Sequence, residues 1–177
     1  MRHLALLRGL NVGANNRIKM PALISVFEAC GCTNVTTYIQ SGNVLFDAPA
    51  RILPKLAALI SDTLQADFEI TSPVILRTAA ELVAVTKHNP FLKRGAASDT
   101  LHVGFLAAAP GADAVADLDP NRSPGDAFEV SGRDLYLHLP NGVARTKLTN
   151  AWFDTKLKTV CTVRNWNTVL ELSKLVG

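Results

Sequence analysis

Hydrophobic positions along the chain switch between a period of two and a period near 3.6, and turn residues mark nearly every switch. His3 to Arg8 is an apolar run that reads as a strand, followed by a polar loop. Pro21 suits a first helical position and Gly31 a C-terminal cap, which brackets a helix over Ala22 to Cys30. Val35 to Ile39 and Val44 to Phe46 are β-rich runs on either side of Ser41, Gly42 and Asn43, a hairpin signal. Leu53, Leu56, Leu59, Ile60 and Leu64 recur at helical spacing, with Pro54 tolerated in the first turn. Pro73 to Arg77 predicts a fourth strand. Thr78 and Glu81 form a capping box that opens a helix running to the region of Lys87, and Asn89 and Pro90 stop it.

The second half repeats the order without repeating the sequence. Leu101 to Ala107 reads as a strand, Ala112 to Leu118 as a short helix, and Phe128 to Val130 and Leu135 to Leu139 as strands joined through Ser131 and Gly132. Leu135, Leu137 and Leu139 share one face while Tyr136 and His138 share the other, which predicts a sheet covered on one side. A helix from Thr146 to Lys158 carries Leu148, Trp152 and Leu157 on one side. A strand over Val160 to Val163 and a closing helix capped by Asn165 complete the chain, with Trp166 in the core. The predicted fold is α+β: two ferredoxin-like βαββαβ halves with antiparallel sheets, residues 1–78 and 79–177, the second decorated by a linking helix and ending in a helix.

Composition keeps this picture in an ordinary globular class. With 48% hydrophobic and 19% charged residues over 177 positions, the chain can fill one core or two small ones packed together. Leu4 to Leu7 is too short an apolar stretch for a signal peptide or a membrane span, so a cytosolic protein with no membrane partner is expected. Cys30, Cys32 and Cys161 cannot all pair within one chain and lack zinc-site spacing, and they are expected as reduced, buried thiols. The net charge of +3 matters less than its segregation. Arg2, Arg8, Arg17 and Lys19 precede the first acid, Glu28. Arg145, Lys147, Lys156, Lys158 and Arg164 form a second basic region, and Asp113, Asp117, Asp119, Asp126 and Glu129 make the stretch between acidic.

The predicted topology brings polar residues together. In a βαββαβ unit the third strand pairs antiparallel between the first two, so the loop Gly9 to Lys19 leaves the same sheet end as the turn Gln40 to Asn43. Arg8, Asn11, Asn15, Asn16, Arg17 and Lys19 then approach Gln40, Ser41 and Asn43. An amide-rich loop leading into a helix N-terminus favours an anion, although asparagines and glycines also serve simply to build turns. The glycine spacing matches neither a phosphate-binding Walker loop nor a dinucleotide fingerprint, and no cofactor is implied. In the second half, Arg145, Lys147 and Arg164 gather at one sheet end, and they join the first cluster only if the halves bring the two ends together.

The motifs LLRGLNVGANNRIKM (Leu6 to Met20), YIQSGNVLF (Tyr38 to Phe46), NPF (Asn89 to Phe91), LPNGVARTKLTN (Leu139 to Asn150) and TVRNWNTVLEL (Thr162 to Leu172) resemble the family catalogued as domain of unknown function 1697. The resemblance implies a pair of ferredoxin-like units and carries no activity with it. Family members commonly show a second glycine where this chain has Ala14, and serine where it has Thr146.

Three functions from different classes fit the residues. The first is binding of an anionic ligand, a phosphate-bearing small molecule or nucleic acid, in a basic, amide-rich cleft. Nucleic acid is the less favoured of the two, because Gly42 to Phe46 supplies only Phe46 for stacking on a base. The second is an enzyme that stabilises charge on a small anionic substrate with Arg and Lys side chains. The third is a structural or protein-interaction module. No nucleophile elbow or zinc-protease helix is present, and His3, His88, His102 and His138 are scattered without ligand spacing.

Overall fold

Five consecutive buried residues, His3 to Leu7, put β1 (Arg2–Leu7) at an interior position of a sheet. It pairs antiparallel with β3 (Asn43–Asp47) on one side and β4 (Val74–Thr78) on the other, and β2 (Thr33–Tyr38) closes the far edge beside β3. The order of this four-stranded sheet is β2-β3-β1-β4. Helices α1 (Met20–Ala29) and α2 (Leu53–Phe68) cover one face, where Ala5, Leu7, Val44 and Phe46 meet Leu23, Phe27, Leu56, Ile60 and Leu64. On the opposite face Leu4, Leu6, Leu45, Ile75 and Arg77 are also buried. Burial on both sides is why β1 reads as a continuous apolar run and not as an alternation.

After α3 (Ala79–His88) and α4 (Pro90–Lys93) the pattern recurs. β5 (Leu101–Leu106), α5 (Ala112–Ala116), β6 (Ala127–Ser131), β7 (Asp134–His138), α6 (Asn150–Leu157) and β8 (Cys161–Asn165) build a second antiparallel sheet of order β6-β7-β5-β8, and α7 (Trp166–Val176) ends the chain. Two βαββαβ halves are therefore present. The computed structural model describes residues Met1–Gly177. It divides into two compact units, Met1–Leu82 with Leu172–Gly177, and Val83–Glu171.

The strand registers uncover a repeat at residue level that the sequence order alone did not suggest. His3 stands opposite Thr78 and Leu4 opposite Arg77, while His102 stands opposite Asn165 and Val103 opposite Arg164. Thr78 and Asn165 each cap the helix that follows, the first through a reciprocal pair with Glu81 (2.8 and 3.2 Å) and the second by accepting the Thr168 N–H at 2.8 Å.

Four expectations change. The second sheet is not open on one side: Tyr136 is buried along with Leu101, Val103 and Phe105, which come from the neighbouring strand to the same face. Helix α6 begins at Asn150 and not near Thr146, because side-chain oxygens take up the preceding N–H groups. Ser123 Oγ accepts from Lys147 (3.0 Å), Thr146 Oγ1 from Leu148 (3.1 Å), and Thr149 caps the helix by accepting from Trp152 (3.2 Å). Asn89 does more than end α3, since its Oδ1 accepts from Phe91 and Leu92 and starts α4. Finally α1 starts at Met20, so Pro21 lies one residue inside it.

All three cysteines are unpaired and buried. Desolvation, with a contribution from neighbouring Cys30, pushes the Cys32 thiol up to about 11, which keeps it protonated and unreactive near neutral pH. No helix is long and apolar enough to cross a membrane.

Candidate functional site

The loop between β1 and α1 is built by the residues that the sequence nominates for a ligand. Asn11 and Asn16 both adopt left-handed backbone angles, φ 54 and 53, which asparagine tolerates better than most side chains. Asn11 accepts the Ile18 N–H with its Oδ1 at 2.9 Å and donates from Nδ2 to the Gln40 carbonyl at 3.1 Å. Its backbone N–H reaches the Asn16 carbonyl at 3.0 Å, and Asn16 Nδ2 donates to the Thr71 carbonyl at 3.3 Å. The amides thus close the loop and tie it to its surroundings, with one bond made through each half of the Asn11 side chain. Asn15 is exposed.

The hairpin turn stands against the same end of the sheet, as the strand directions predict. Leu7 N–H donates to the Gly42 carbonyl at 2.8 Å. Gly42 is obligatory there: at φ +79 a Cβ would come 2.6 Å from the Leu7 carbonyl oxygen. Asn43 is buried and donates from Nδ2 to the Tyr38 carbonyl and to Ser41 Oγ, at 3.2 and 3.1 Å, so these two side chains shape the turn. A third segment at this end was missed from sequence. Ser72 is fully buried and donates to the Arg8 carbonyl at 2.8 Å, and Arg8 N–H donates to the Pro73 carbonyl at 3.1 Å. The signal was available: β4 runs antiparallel to β1, so its start must lie where β1 ends.

Between loop and turn lies an open groove of about 590 Å³ lined by Asn11, Arg17, Ile18, Lys19, Met20, Pro21 and Gln40. Arg17 is laid along the loop by the bond from its Nε to the Gly13 carbonyl, 3.1 Å, which leaves the outer guanidinium nitrogens for other acceptors. Lys19 and Gln40 are exposed. The groove ends at the N-terminus of α1, where Lys19 occupies the cap position without a side-chain cap and no acidic residue stands in the first turn. The Leu23 N–H is bonded inside the helix to the Lys19 carbonyl (3.1 Å), so the donors before it lack the partner that Thr149 or Asn165 supplies elsewhere.

The basic residues of the second unit differ in exposure. Arg145 and Lys147 are exposed on the loop after β7. The Arg164 guanidinium donates to Thr162 Oγ1 and the Val163 carbonyl (3.0 and 3.1 Å), and burial lowers its pKa to about 10. A cavity of about 220 Å³ in this unit is lined by Leu137, Leu139, Val143, Leu148 and Val163 together with Thr146, Thr149 and Asn150, and by none of the three basic residues. Phe46 offers no face to a base, because it is fully buried against His3 and Phe27. No three His, Cys, Asp or Glu side chains stand close enough to hold a metal ion.

The loop and hairpin motifs lie in a segment that a family model also picks out. Residues 1–136 match the model described as a protein of unknown function, DUF1697. The chain belongs to that family. The match takes in the whole groove, while the motifs at Leu139 to Asn150 and Thr162 to Leu172 lie beyond its end. Among solved structures, the conserved bacterial protein SP0830 from Streptococcus pneumoniae is similar over 99% of this chain and 98% of its own, with a TM-score of 0.69 and 20% identity. At that identity the likeness concerns the fold. No curated protein matches the chain.

Proposed function

We propose that this member of the DUF1697 family binds a small phosphate-bearing or otherwise anionic molecule in the groove at the N-terminus of α1. The observation that carries the reading is the coincidence of an uncapped helix N-terminus with Arg17 and Lys19 in a groove whose lining contains no carboxylate. The first-turn N–H groups of Met20 and Ala22, without a side-chain cap, and the helix dipole favour negative charge there, and both cations add to it. The guanidinium is already oriented by Gly13, so less conformational freedom is lost when it meets a phosphate. Arg8, Asn11, Asn15, Asn16, Ser41 and Asn43 act in this reading as the frame, and Gln40 as a polar contact on the hairpin side. The burial of Phe46 favours a small molecule over a nucleic acid that would stack on the sheet.

The lining contains no histidine, cysteine, serine or carboxylate, so the chemistry it offers is charge stabilisation by Arg17 and Lys19. Binding is therefore the primary reading. Calorimetric titration with a panel of phosphomonoesters tests it. Arg17→Ala and Lys19→Ala should each weaken the best ligand about fivefold or more, with affinity falling as salt rises, while Lys55→Ala on α2 leaves it unchanged. Equal affinity in all three variants would remove the reading.

A further inference from the structure

The turn that follows β7 carries the one asparagine of the chain with glycine after it, Asn141 before Gly142. That order has a chemical consequence, because a backbone nitrogen can attack the side-chain carbonyl of the asparagine before it and close a five-membered ring. A side chain on the following residue crowds the attack, and glycine has none. Every other asparagine precedes a residue with a Cβ, which at Asn89 is a proline with no N–H to give up.

The surroundings leave this pair open to the reaction. Asn141 and Gly142 are both exposed, at a turn outside any strand or helix. Nothing lies within 4 Å of where a Gly142 Cβ would stand, so the backbone has room to swing toward the Asn141 side chain. The Gly142 N–H donates to the Leu139 carbonyl at 3.0 Å, closing a turn with Pro140 at its second position. That bond must break before the nitrogen can attack, and a lone turn bond at the surface opens at little cost. Asn11 and Asn43 are placed differently: the first is bonded through both halves of its side chain, and the second is buried with its Nδ2 bonded to Tyr38 and Ser41.

We propose that Asn141 is a site of spontaneous covalent modification, converting through a succinimide to aspartate and isoaspartate. The Gly142 nitrogen gives up its proton and bonds to Cγ of Asn141, the Cγ–Nδ2 bond breaks, and the amide leaves as ammonia carrying that proton. Water then opens the ring at either carbonyl. One opening restores the ordinary backbone with an aspartate side chain, and the other routes the backbone through the side-chain carbonyl. No electrons are transferred, and water is the sole co-reactant. Either product replaces a neutral amide by a carboxylate on the loop that carries Arg145 and Lys147. Isoaspartate also lengthens the backbone by one carbon, just ahead of the segment where Ser123 Oγ takes up the Lys147 N–H.

Trypsin isolates the site, since cleavage after Arg133 and Arg145 releases Asp134–Arg145, in which Asn141 is the one amide side chain. The folded full chain is incubated in mildly alkaline buffer beside the free synthetic peptide of the same sequence, and both are followed by mass spectrometry with a sample digested at the start. Asp134–Arg145 from the folded chain is expected to gain one dalton and split into two chromatographic forms, faster as pH rises. Its rate should lie within roughly tenfold of the free peptide, the margin set by an opening cost of ~1.4 kcal/mol. Leu148–Lys156, where Asn150 precedes Ala151, should stay unchanged over that time, and Gly142→Ala should lose the gain. A folded chain that keeps Asp134–Arg145 intact while the free peptide is converted overturns the proposal, because the Leu139 bond then protects the turn. Conversion at an equal rate in Gly142→Ala, or an equal gain on Leu148–Lys156, overturns it as well.

Discussion

Glycine and asparagine set the geometry of the groove end, and single substitutions there separate steric from conformational effects. Gly42 and Gly142 have nearly the same φ, +79 and +80, but a Cβ meets the Leu7 carbonyl at 2.6 Å in the first case and nothing within 4 Å in the second. Gly142→Ala should cost ~1 kcal/mol from the backbone angle alone, and Gly42→Ala at least ~2 kcal/mol more from the collision, as read from urea denaturation. Equal losses would show that the hairpin yields to the added methyl. Asn11→Ala should cost about 2 kcal/mol, because both halves of its side chain are bonded, to Ile18 N–H and the Gln40 carbonyl. Its asparagines were legible from sequence as a cluster, but their use was not. Whether an amide faces a ligand or its own loop depends on backbone angles and on partners far along the chain, such as Thr71, which no local pattern encodes.

Histidine titration acts on the strand that carries it. His102 on β5 has its pKa lowered chiefly by desolvation, partly offset by a bond with the Thr100 backbone, and its Nδ1 is buried without a partner. The unfolded chain therefore takes up a proton at higher pH than the folded one. The stability contributed by neutral His102 is fully present above its unfolded pKa of about 6.5 and is lost as pH falls from there through the depressed folded value. Unfolding free energy measured from pH 7 downward should decline, and more gently in His102→Phe. At the start of α3, the Thr78 and Glu81 pair predicts that Glu81→Ala costs ~1 kcal/mol and that Thr78→Ala adds less than its own effect on top, since each single change already breaks the reciprocal box. That box was readable in four residues of sequence. The start of α6 was not, because the oxygen that diverts the Lys147 N–H belongs to Ser123, in a loop before β6.

Across the whole chain, the fold was more legible than the site. Strand, helix and turn signals, taken in order, yielded both βαββαβ halves, since each element's periodicity reports its own burial and the crossover rules leave few ways to join them. The equivalence of His3 with His102 and of Arg77 with Arg164 emerged only from the strand registers, because the intervening residues share no wording. The placement of the basic loop at the hairpin end followed from the same rules. That α1 lacks a side-chain cap did not, for capping depends on where the helix starts, and it starts at Met20, one residue before the first helical position that the sequence gives to Pro21. On the proposed function, this helix start, with Arg17 and Lys19, holds an anion. Its most direct test is a chemical-shift titration of the wild-type chain and an Arg17→Ala/Lys19→Ala double variant with methyl phosphate. Saturable shifts centred on Met20 and Ala22 in the wild type, lost in the double variant, are predicted; shifts that are absent, or equal in the two proteins, would contradict it.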